Sequence, residues 1–152
     1  MSKGITLVGG GITLALKLFS GTSFPREQIK AAIGVGFSAY GTPNTDGTSY
    51  EPKHIWNFVA IVSPADAELL DVLEVISRSQ NILIYDYTRR VWDTAARSRA
   101  LAPGASEVVE GSQTGYHAQF YGRVTQPIKP EEDGAFLLCA VQLTETDRVP
   151  LV

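Results

Sequence analysis

Three consecutive glycines near the start of the chain are the first residues whose type and spacing suggest chemistry. They stand at positions 9–11 in ITLVGGGITL, and a glycine-rich turn can cradle a phosphate. A dinucleotide site requires G-x-G-x-x-G, however, and the third glycine position is Leu14 here. No Lys-Ser or Lys-Thr pair follows, as a phosphate loop requires. Since apolar residues alternate with Thr, Ala and Lys over positions 12–18, we interpret the glycines as the turn of a β-hairpin.

The other candidate catalytic and metal-binding patterns are incomplete. GFSAYG, at positions 36–41, misses the G-x-S-x-G pattern of serine hydrolases by one residue. His54 and His117 have no H-x-H, H-E-x-x-H or C-x-x-C context, so their spacing gives no support to a metal site. The acidic run Glu131, Glu132 and Asp133 precedes a glycine and is typical of a solvated turn. We therefore predict no catalytic, cofactor-binding or metal-binding residues.

Asp86 is notable because a carboxylate within an apolar strand is unfavourable unless it is paired. It lies between Tyr85 and Tyr87, and Arg89 and Arg90 follow closely. We expect a structural ion pair between Asp86 and one of these two arginines rather than a catalytic role.

Length and composition favour one folded unit. The chain has 152 residues, of which 44% are hydrophobic and 19% charged, so we predict a single domain over residues 1–152 rather than disorder. The formal net charge of -3 gives no reason to expect specific nucleic-acid binding. The one cysteine, Cys139, lies in an apolar run and is expected to be buried. Neither a signal-peptide core nor a run of about 18 apolar residues occurs, so we predict a soluble protein without membrane insertion.

One helix must lie near the middle of the chain. Ser63 suits the N-cap, Pro64 the first helical position and Asp66 the first turn, and we expect the helix to end at about Ser77. The apolar residues that recur at helical spacing are Leu69, Leu70, Leu73 and Ile76. The acidic residues expected on the opposite, exposed side are Glu68, Asp71 and Glu74. The apolar side is expected to pack on a sheet.

Most of the remaining apolar stretches are typical of strands. Besides the opening hairpin, they are residues 54–62, 81–93 with a turn near Asp86, 116–128 and 135–147. The density of apolar residues over 54–62 predicts burial on both faces for part of that strand. Residues 25–32 have the composition of one or two helical turns, whereas Ile33, Val35 and Phe37 alternate with small residues as in a strand.

Two polar stretches, residues 41–53 and 94–115, are predicted to be long loops. About six strands and one flanking helix predict a mainly β (α+β) fold, either an antiparallel β-barrel or a sandwich.

The order of these elements resembles that of the small β-rich proteins that build bacteriophage tails, namely tail-tube, tube-terminator and distal-tail hub proteins. The matching pieces are HIWNFVAIVSPADAELLDVLEVIS, a strand that passes into a capped helix, followed by NILIYDYTRRVW, FYGRVTQPI and CAVQLTETD. The likeness covers most of the chain. It is one of pattern rather than of a diagnostic motif, so it assigns no functional residue.

The resemblance implies a non-enzymatic virion structural protein of a tail or baseplate, assembled in the host cytoplasm. Its partners would be further copies of itself in a ring around the tail channel, most often sixfold, and other tail or baseplate proteins. Long polar loops could become ordered against neighbouring copies, and a mildly acidic surface would not grip passing DNA. Two alternatives remain open: a β-barrel that binds a small ligand, and a hydrolase whose site joins distant residues such as Asp86, His54 and His117.

Overall fold

The computed structural model describes residues 4–18, 25–29, 34–37, 43–46, 53–125, 129–134 and 136–146. These residues contain thirteen β-strands and one α-helix. In chain order the elements are β1 (Ile5–Gly9), β2 (Ile12–Leu18), β3 (Arg26–Ile29), β4 (Gly34–Phe37), β5 (Pro43–Asp46), β6 (Lys53–Val62), α1 (Pro64–Ser77), β7 (Ile82–Asp86), β8 (Val91–Thr94), β9 (Val108–Glu110), β10 (Gln113–Tyr116), β11 (Gln119–Val124), β12 (Lys129–Asp133) and β13 (Phe136–Glu145).

Six of the strands close into an antiparallel barrel, which confirms the predicted fold class. Around the barrel they follow the order β13, β11, β7, β1, β2 and β6, and β6 pairs with β13 to close it. The pairing of β6 with β13 runs from Val62 opposite Leu137 to Ile55 opposite Thr144. Closure removes the exposed edges that an open sheet would leave on these strands.

Side chains fill the interior of the barrel. Trp56 and Phe120 are fully buried, with ring centroids 4.8 Å apart and edge-to-face geometry, and Ile84 and Leu143 are buried with them. A barrel of about eight strands is just wide enough to be filled by side chains or to hold one small ligand, and this barrel is narrower. Its interior is therefore a packed core. Along β6, burial alternates from residue to residue, so the predicted burial of both faces of this strand is wrong.

The opening glycines form the turn of the β1–β2 hairpin, as predicted. Gly9 pairs with Ile12, which leaves Gly10 and Gly11 as a two-residue connection. Their φ angles are +54° and +80°, the left-handed region that a type I′ turn requires at both positions. A Cβ at Gly10 would lie 2.5 Å from Ile76 Cδ1, so the turn also depends on a residue without a side chain.

The predicted helix is α1, and its capping is also confirmed. The Asp66 N–H donates a hydrogen bond to Ser63 Oγ at 3.2 Å, and Pro64 occupies the first turn. Leu70 and Leu73 are fully buried against the barrel. The predicted exposure of Glu74 is wrong, because its carboxylate is buried and pairs with Arg78 one turn later.

The barrel has two ends of different chemistry. In the β1–β7 pair, Ile5 lies opposite Asp86 and Val8 lies opposite Leu83, so Asp86 and Gly9 are at opposite ends. Helix α1 contacts all six barrel strands and lies at the end with Gly9, where Ser77 Oγ accepts a hydrogen bond from the Val124 N–H at 3.2 Å. We call this the helix end. The other end, with Asp86, we call the arginine end.

Two antiparallel strand pairs follow the β1–β2 hairpin in the chain, β3 with β6 and β4 with β5. Arg26–Ile29 pairs antiparallel with the first residues of β6, and Gly34–Phe37 pairs antiparallel with Pro43–Asp46. In the chain, β4 and β5 lie between β3 and β6. We call the β4–β5 part the arm. One prediction is wrong here, because residues 43–46 are a strand rather than a loop. The sequence left residues 25–37 open between helical turns and a strand, and residues 26–29 and 34–37 are strands.

Two further segments predicted as irregular contain strands. Residues 108–115 of the second predicted loop, together with Tyr116, form the β9–β10 hairpin around Gly111, and β8 pairs with β10 to complete a three-stranded sheet. The acidic run is the edge strand β12, which pairs with β13 and turns at Gly134 with φ of +64°. The polar composition of β12 is compatible with a strand at the edge of a sheet. Pro130 is tolerated there because an edge strand need not donate every backbone hydrogen bond.

Candidate functional site

The arginine end of the barrel is built around Asp86, the last residue of β7. Its Oδ2 accepts hydrogen bonds from Arg26 Nη1 at 2.7 Å and from Trp56 Nε1 at 3.1 Å. Its Oδ1 accepts hydrogen bonds from the Thr88 N–H at 2.8 Å and from the Thr88 hydroxyl. The carboxylate is completely buried and accepts four hydrogen bonds. Asp86 is therefore a structural carboxylate, as expected.

The partner of Asp86 differs from the expected one. Arg26, 3% exposed, forms the ion pair, while Arg89 and Arg90 contribute their main chains. Arg26 Nη1 donates to the carbonyl oxygen of Arg89 at 3.0 Å, and Nη2 donates to that of Arg90 at 2.9 Å. Burial lowers the pKa of Arg26, although the Asp86 carboxylate acts in the opposite direction. The pair thus joins β3 to the β7–β8 connection.

A second buried ion pair lies at the same end. Arg99 Nε donates to Glu145 Oε2 at 2.9 Å, and Arg99 Nη2 donates to Oε1 at 3.0 Å, in the two-pronged geometry that suits guanidinium and carboxylate. Glu145 Oε1 also accepts a hydrogen bond from the His54 N–H at 3.1 Å. The connection between β8 and β9 is thereby attached to the end of β13.

The Phe120 ring connects the two ion pairs. The guanidinium carbon of Arg26 lies 5.5 Å from the ring centroid, and that of Arg99 lies 5.3 Å from it. Both distances allow a cation–π attraction, which is stronger where water is excluded. The two cations and the ring close the barrel at its arginine end.

Asp86, His54 and His117 do not form a catalytic set. The oxygens of Asp86 are occupied by the donors described above. The His54 ring packs 5.2 Å from the Phe120 ring and lines a cavity of about 510 Å³ at the arginine end. The His117 ring lies 6.1 Å from the Tyr87 ring and lines a different cavity of about 570 Å³ beside β1 and β2. This arrangement gives the hydrolase alternative no support.

The cavity of about 510 Å³ is an open cleft with exposed cationic and aromatic side chains, and we call it the arginine cleft. Arg89, Arg90 and Trp92 are exposed in its lining, and Trp92 remains 42% exposed. One side of the Trp92 ring covers Gly115, where a Cβ would come within 2.6 Å of ring carbons. Glycine at that position lets the ring lie close to β10. Neither Arg89 nor Arg90 forms an ion pair with another residue that the structure describes.

Asp93 connects parts of the arginine cleft through hydrogen bonds. Its Oδ2 accepts hydrogen bonds from the Tyr116 hydroxyl at 2.5 Å, from the Ser98 N–H at 2.8 Å and from the Ser98 hydroxyl at 2.9 Å. Burial acts to raise the pKa of Asp93, but these hydrogen bonds and the nearby positive charge of Arg99 together outweigh burial, so the pKa is lowered. Burial and the bond to Asp93 raise the pKa of Tyr116.

The outward side of α1 is the second surface of interest, and we call it the helix face. Leu69, Val72 and Val75 are exposed on it by 37%, 45% and 55%. Glu68 and Asp71 lie beside Val72 and Val75 around a shallow groove of about 440 Å³. Leu69, predicted to face inward with the buried leucines, thus belongs to the exposed surface.

The other predicted positions carry no visible site. Cys139 is buried, as predicted, and burial raises its pKa. Glu131 and Glu132 are exposed on β12. Of the near-miss hydrolase pattern, residues 36–37 belong to β4 and residues 38–41 lie outside the described ranges.

The residues that the structure describes contain no group of three or more His, Cys, Asp or Glu side chains placed to hold a metal ion. Within these residues, too, no helix has the length and apolar character needed to cross a membrane.

The residues that build the arginine end were largely missed by sequence reasoning. Arg26 lies 60 positions from Asp86, and Arg99 lies 46 positions from Glu145, so no local spacing connects them. Glu145 did carry a signal. It occupies the inward position that follows Val141 and Leu143 in the alternation of β13, where an acidic residue requires a buried partner.

Comparisons of the chain with protein-family models, with curated proteins and with solved structures gave no match.

Proposed function

We propose that the chain is a non-enzymatic structural protein of a bacteriophage tail or baseplate that assembles with copies of itself into a ring around the tail channel. Six copies are the expected number, and other tail or baseplate proteins are the expected further partners. The observation that carries this proposal is the arm, a two-stranded ribbon whose strands pair with no other strand in the described part of the chain.

A ribbon of two strands is only marginally stable in water by itself. The outer edges of β4 and β5 also carry backbone N–H and C=O groups that can accept a further strand. A neighbouring copy that pairs with such an edge, or packs on the ribbon, would satisfy these groups and offset the entropy of ordering the arm. An assembling protein has a use for this feature, whereas a monomeric protein gains nothing from it.

The packed barrel supports the same proposal against the ligand-binding alternative. Its interior is occupied by Trp56, Phe120 and the aliphatic side chains around them, so a ligand would have to displace core residues. The carboxylates at the arginine end are also engaged, since Asp86 pairs with Arg26 and Glu145 pairs with Arg99. The described part of the chain exposes large apolar side chains in several places, namely Leu69, Val72 and Val75 on the helix face, Trp92 in the arginine cleft, Val108 and Val109 on β9, and Phe136 on β13.

Replacement of the arm tests the proposal. In the variant, residues 33–47 are exchanged for a short Gly-Ser turn, which removes β4 and β5 and leaves the β3–β6 ladder. We expect the melting temperature of the monomeric barrel to remain nearly unchanged while assembly into rings, followed by sedimentation and negative-stain imaging, is lost. A control variant, Val108→Ser with Val109→Ser, changes the exposed strand β9 and should still assemble. Intact assembly of the arm variant together with a large fall in melting temperature would contradict the proposal.

A further inference from the structure

We infer that copies of this chain contact each other head to tail, with the helix face of one copy seated in the arginine cleft of the next. This inference rests on the proposed function, because it names the contact through which the ring would close. It draws on three independent observations: the chemistry of each surface, the match of their charges and their positions on the barrel.

The helix face has the composition of a docking surface. Leu69, Val72 and Val75 form an apolar strip whose members are more than one third exposed, although the other side of the same helix is buried. Glu68 and Asp71 border the groove beside this strip, and neither forms an ion pair with a described residue. An apolar centre with a charged rim is the common arrangement of protein interfaces.

The arginine cleft has the complementary composition. Trp92 is fixed on one side by Gly115 and presents its other side to the cleft, so it would lose little conformational freedom on binding. Arg89 and Arg90 beside it are exposed and form no ion pair with a described residue. Tryptophan and arginine are the residue types that most often dominate the energy of an interface.

The charges of the two surfaces match. Two carboxylates border the apolar groove of the helix face, and two guanidinium groups stand beside the aromatic ring of the arginine cleft. An acidic rim brought against a basic rim favours association and fixes its orientation, whereas the helix face against a second helix face would bring like charges together. A second copy of the chain supplies the needed partner without any further protein.

The positions of the surfaces determine the kind of assembly. α1 lies at the helix end of the barrel, and the cleft lies at the arginine end beside Arg26 and His54. A contact between two different surfaces of the same molecule is heterologous, and it gives a closed ring when the rotation per copy closes or an open filament when it does not. In a closed ring each copy uses both its helix face and its arginine cleft, so neither surface is left without a partner.

Charge reversal tests the contact. The helix variant carries Glu68→Lys and Asp71→Lys, and the cleft variant carries Arg89→Glu and Arg90→Glu. Each places like charges across the proposed contact, so each alone should remain monomeric where the unmodified chain forms rings. Trp92→Ala should weaken assembly by about tenfold or more, as expected for a central aromatic anchor. Matched controls are Glu131→Lys with Glu132→Lys on β12 and Arg123→Glu on β11, which reverse exposed charges elsewhere and should assemble normally.

Mixing the two variants is the decisive step. In the mixture, the acidic helix face of the cleft variant can bind the basic cleft of the helix variant. The basic helix face of the helix variant can likewise bind the acidic cleft of the cleft variant. We therefore expect an equimolar mixture to regain rings that contain equal numbers of both variants, as measured by native mass spectrometry. Circular dichroism of each variant confirms that it is folded.

The outcomes separate this inference from the proposed function. Rings formed by the unmodified chain and also by each variant alone, or the absence of rescue on mixing, would overturn the head-to-tail contact and leave the ring itself in place. An unmodified chain that stays monomeric would overturn both. If the helix variant loses binding only to another tail protein while its own rings persist, the helix face serves that partner and the inference is wrong.

Discussion

Arg26 and Asp86 form a completely buried ion pair between residues 60 positions apart in the chain. Arg26 begins β3, the strand that leads into the arm, and Asp86 ends β7, a strand of the barrel. The pair therefore attaches β3, the strand that precedes the arm in the chain, to the closed barrel. Both charges are taken out of water, so the contact fixes where the arm starts rather than adding much net stability.

Removal of one member of this pair should be strongly destabilising. Asp86→Ala leaves the Arg26 guanidinium buried without its carboxylate, and we expect the free energy of unfolding to fall by about 3–5 kcal/mol. Arg90→Ala removes an exposed side chain and keeps the carbonyl that Arg26 contacts, so its effect should stay below about 0.5 kcal/mol. Urea denaturation of both variants measures the difference. Similar losses would favour pairing of Asp86 with Arg90, one of the two partners expected from the sequence.

The two sides of α1 should respond differently to truncation. Leu73 is fully buried between the helix and the barrel, so Leu73→Ala should lower the free energy of unfolding by roughly 2–5 kcal/mol. Val72→Ala changes a side chain that is 45% exposed, and in the monomer it should change stability by less than about 0.5 kcal/mol. Thermal or urea unfolding under monomeric conditions measures both. A large loss from Val72→Ala would mean that the helix face is covered in the monomer.

Asp93 should make stability depend on pH in the acid range. The hydrogen bonds from Tyr116 and Ser98 lower its pKa in the folded chain below the usual 3.8, in spite of burial. As the pH falls, Asp93 is therefore protonated in the unfolded chain before it is protonated in the folded chain. The contribution of Asp93 to the free energy of unfolding is complete at neutral pH and is lost as the pH falls through the folded pKa. Asp93→Asn should make the decline in unfolding free energy between about pH 7 and pH 3 shallower, as followed by urea midpoints.

Tyr116→Phe tests the cause of that pH dependence. It removes the hydroxyl that donates to Asp93 at 2.5 Å while keeping the ring, so the pKa of Asp93 should move upward and the acid decline should again become shallower. In the double variant with Asp93→Asn, the Tyr116→Phe substitution should not change the pH dependence of the unfolding free energy any further, because the titrating carboxylate is already gone. An acid decline that is the same in the unmodified chain and in Asp93→Asn would show that other carboxylates control it.

The elements that the sequence predicted well are those with a local physical cause. The β1–β2 hairpin follows from glycines at two positions of positive φ between alternating runs, and α1 follows from Ser63 and Pro64 at its start. The mainly β class, with a barrel and a sandwich both left open, follows from the alternation in the longer strands. Each of these signals lies within a few residues of the structure it determines.

The elements that were missed depend on partners far away in the chain. The strand β12 contains three consecutive acidic residues and is a strand because β13 supplies its hydrogen bonds. Strand β5 of the arm was predicted to be part of a loop because its composition, PNTD, is turn-like, and it is a strand because it pairs with β4. Asp86 was correctly expected to have a partner, but its partner comes from β3. Propensity is overridden in each case by pairing that a local pattern does not encode.

The central claim is that the chain assembles into a closed ring of copies, and the most direct test is the mass of the purified 152-residue chain by native mass spectrometry. The account predicts one dominant closed species at six times the chain mass of 16.4 kDa, with images of that species showing a central channel. A protein that remains at 16.4 kDa up to its highest soluble concentration would contradict the claim.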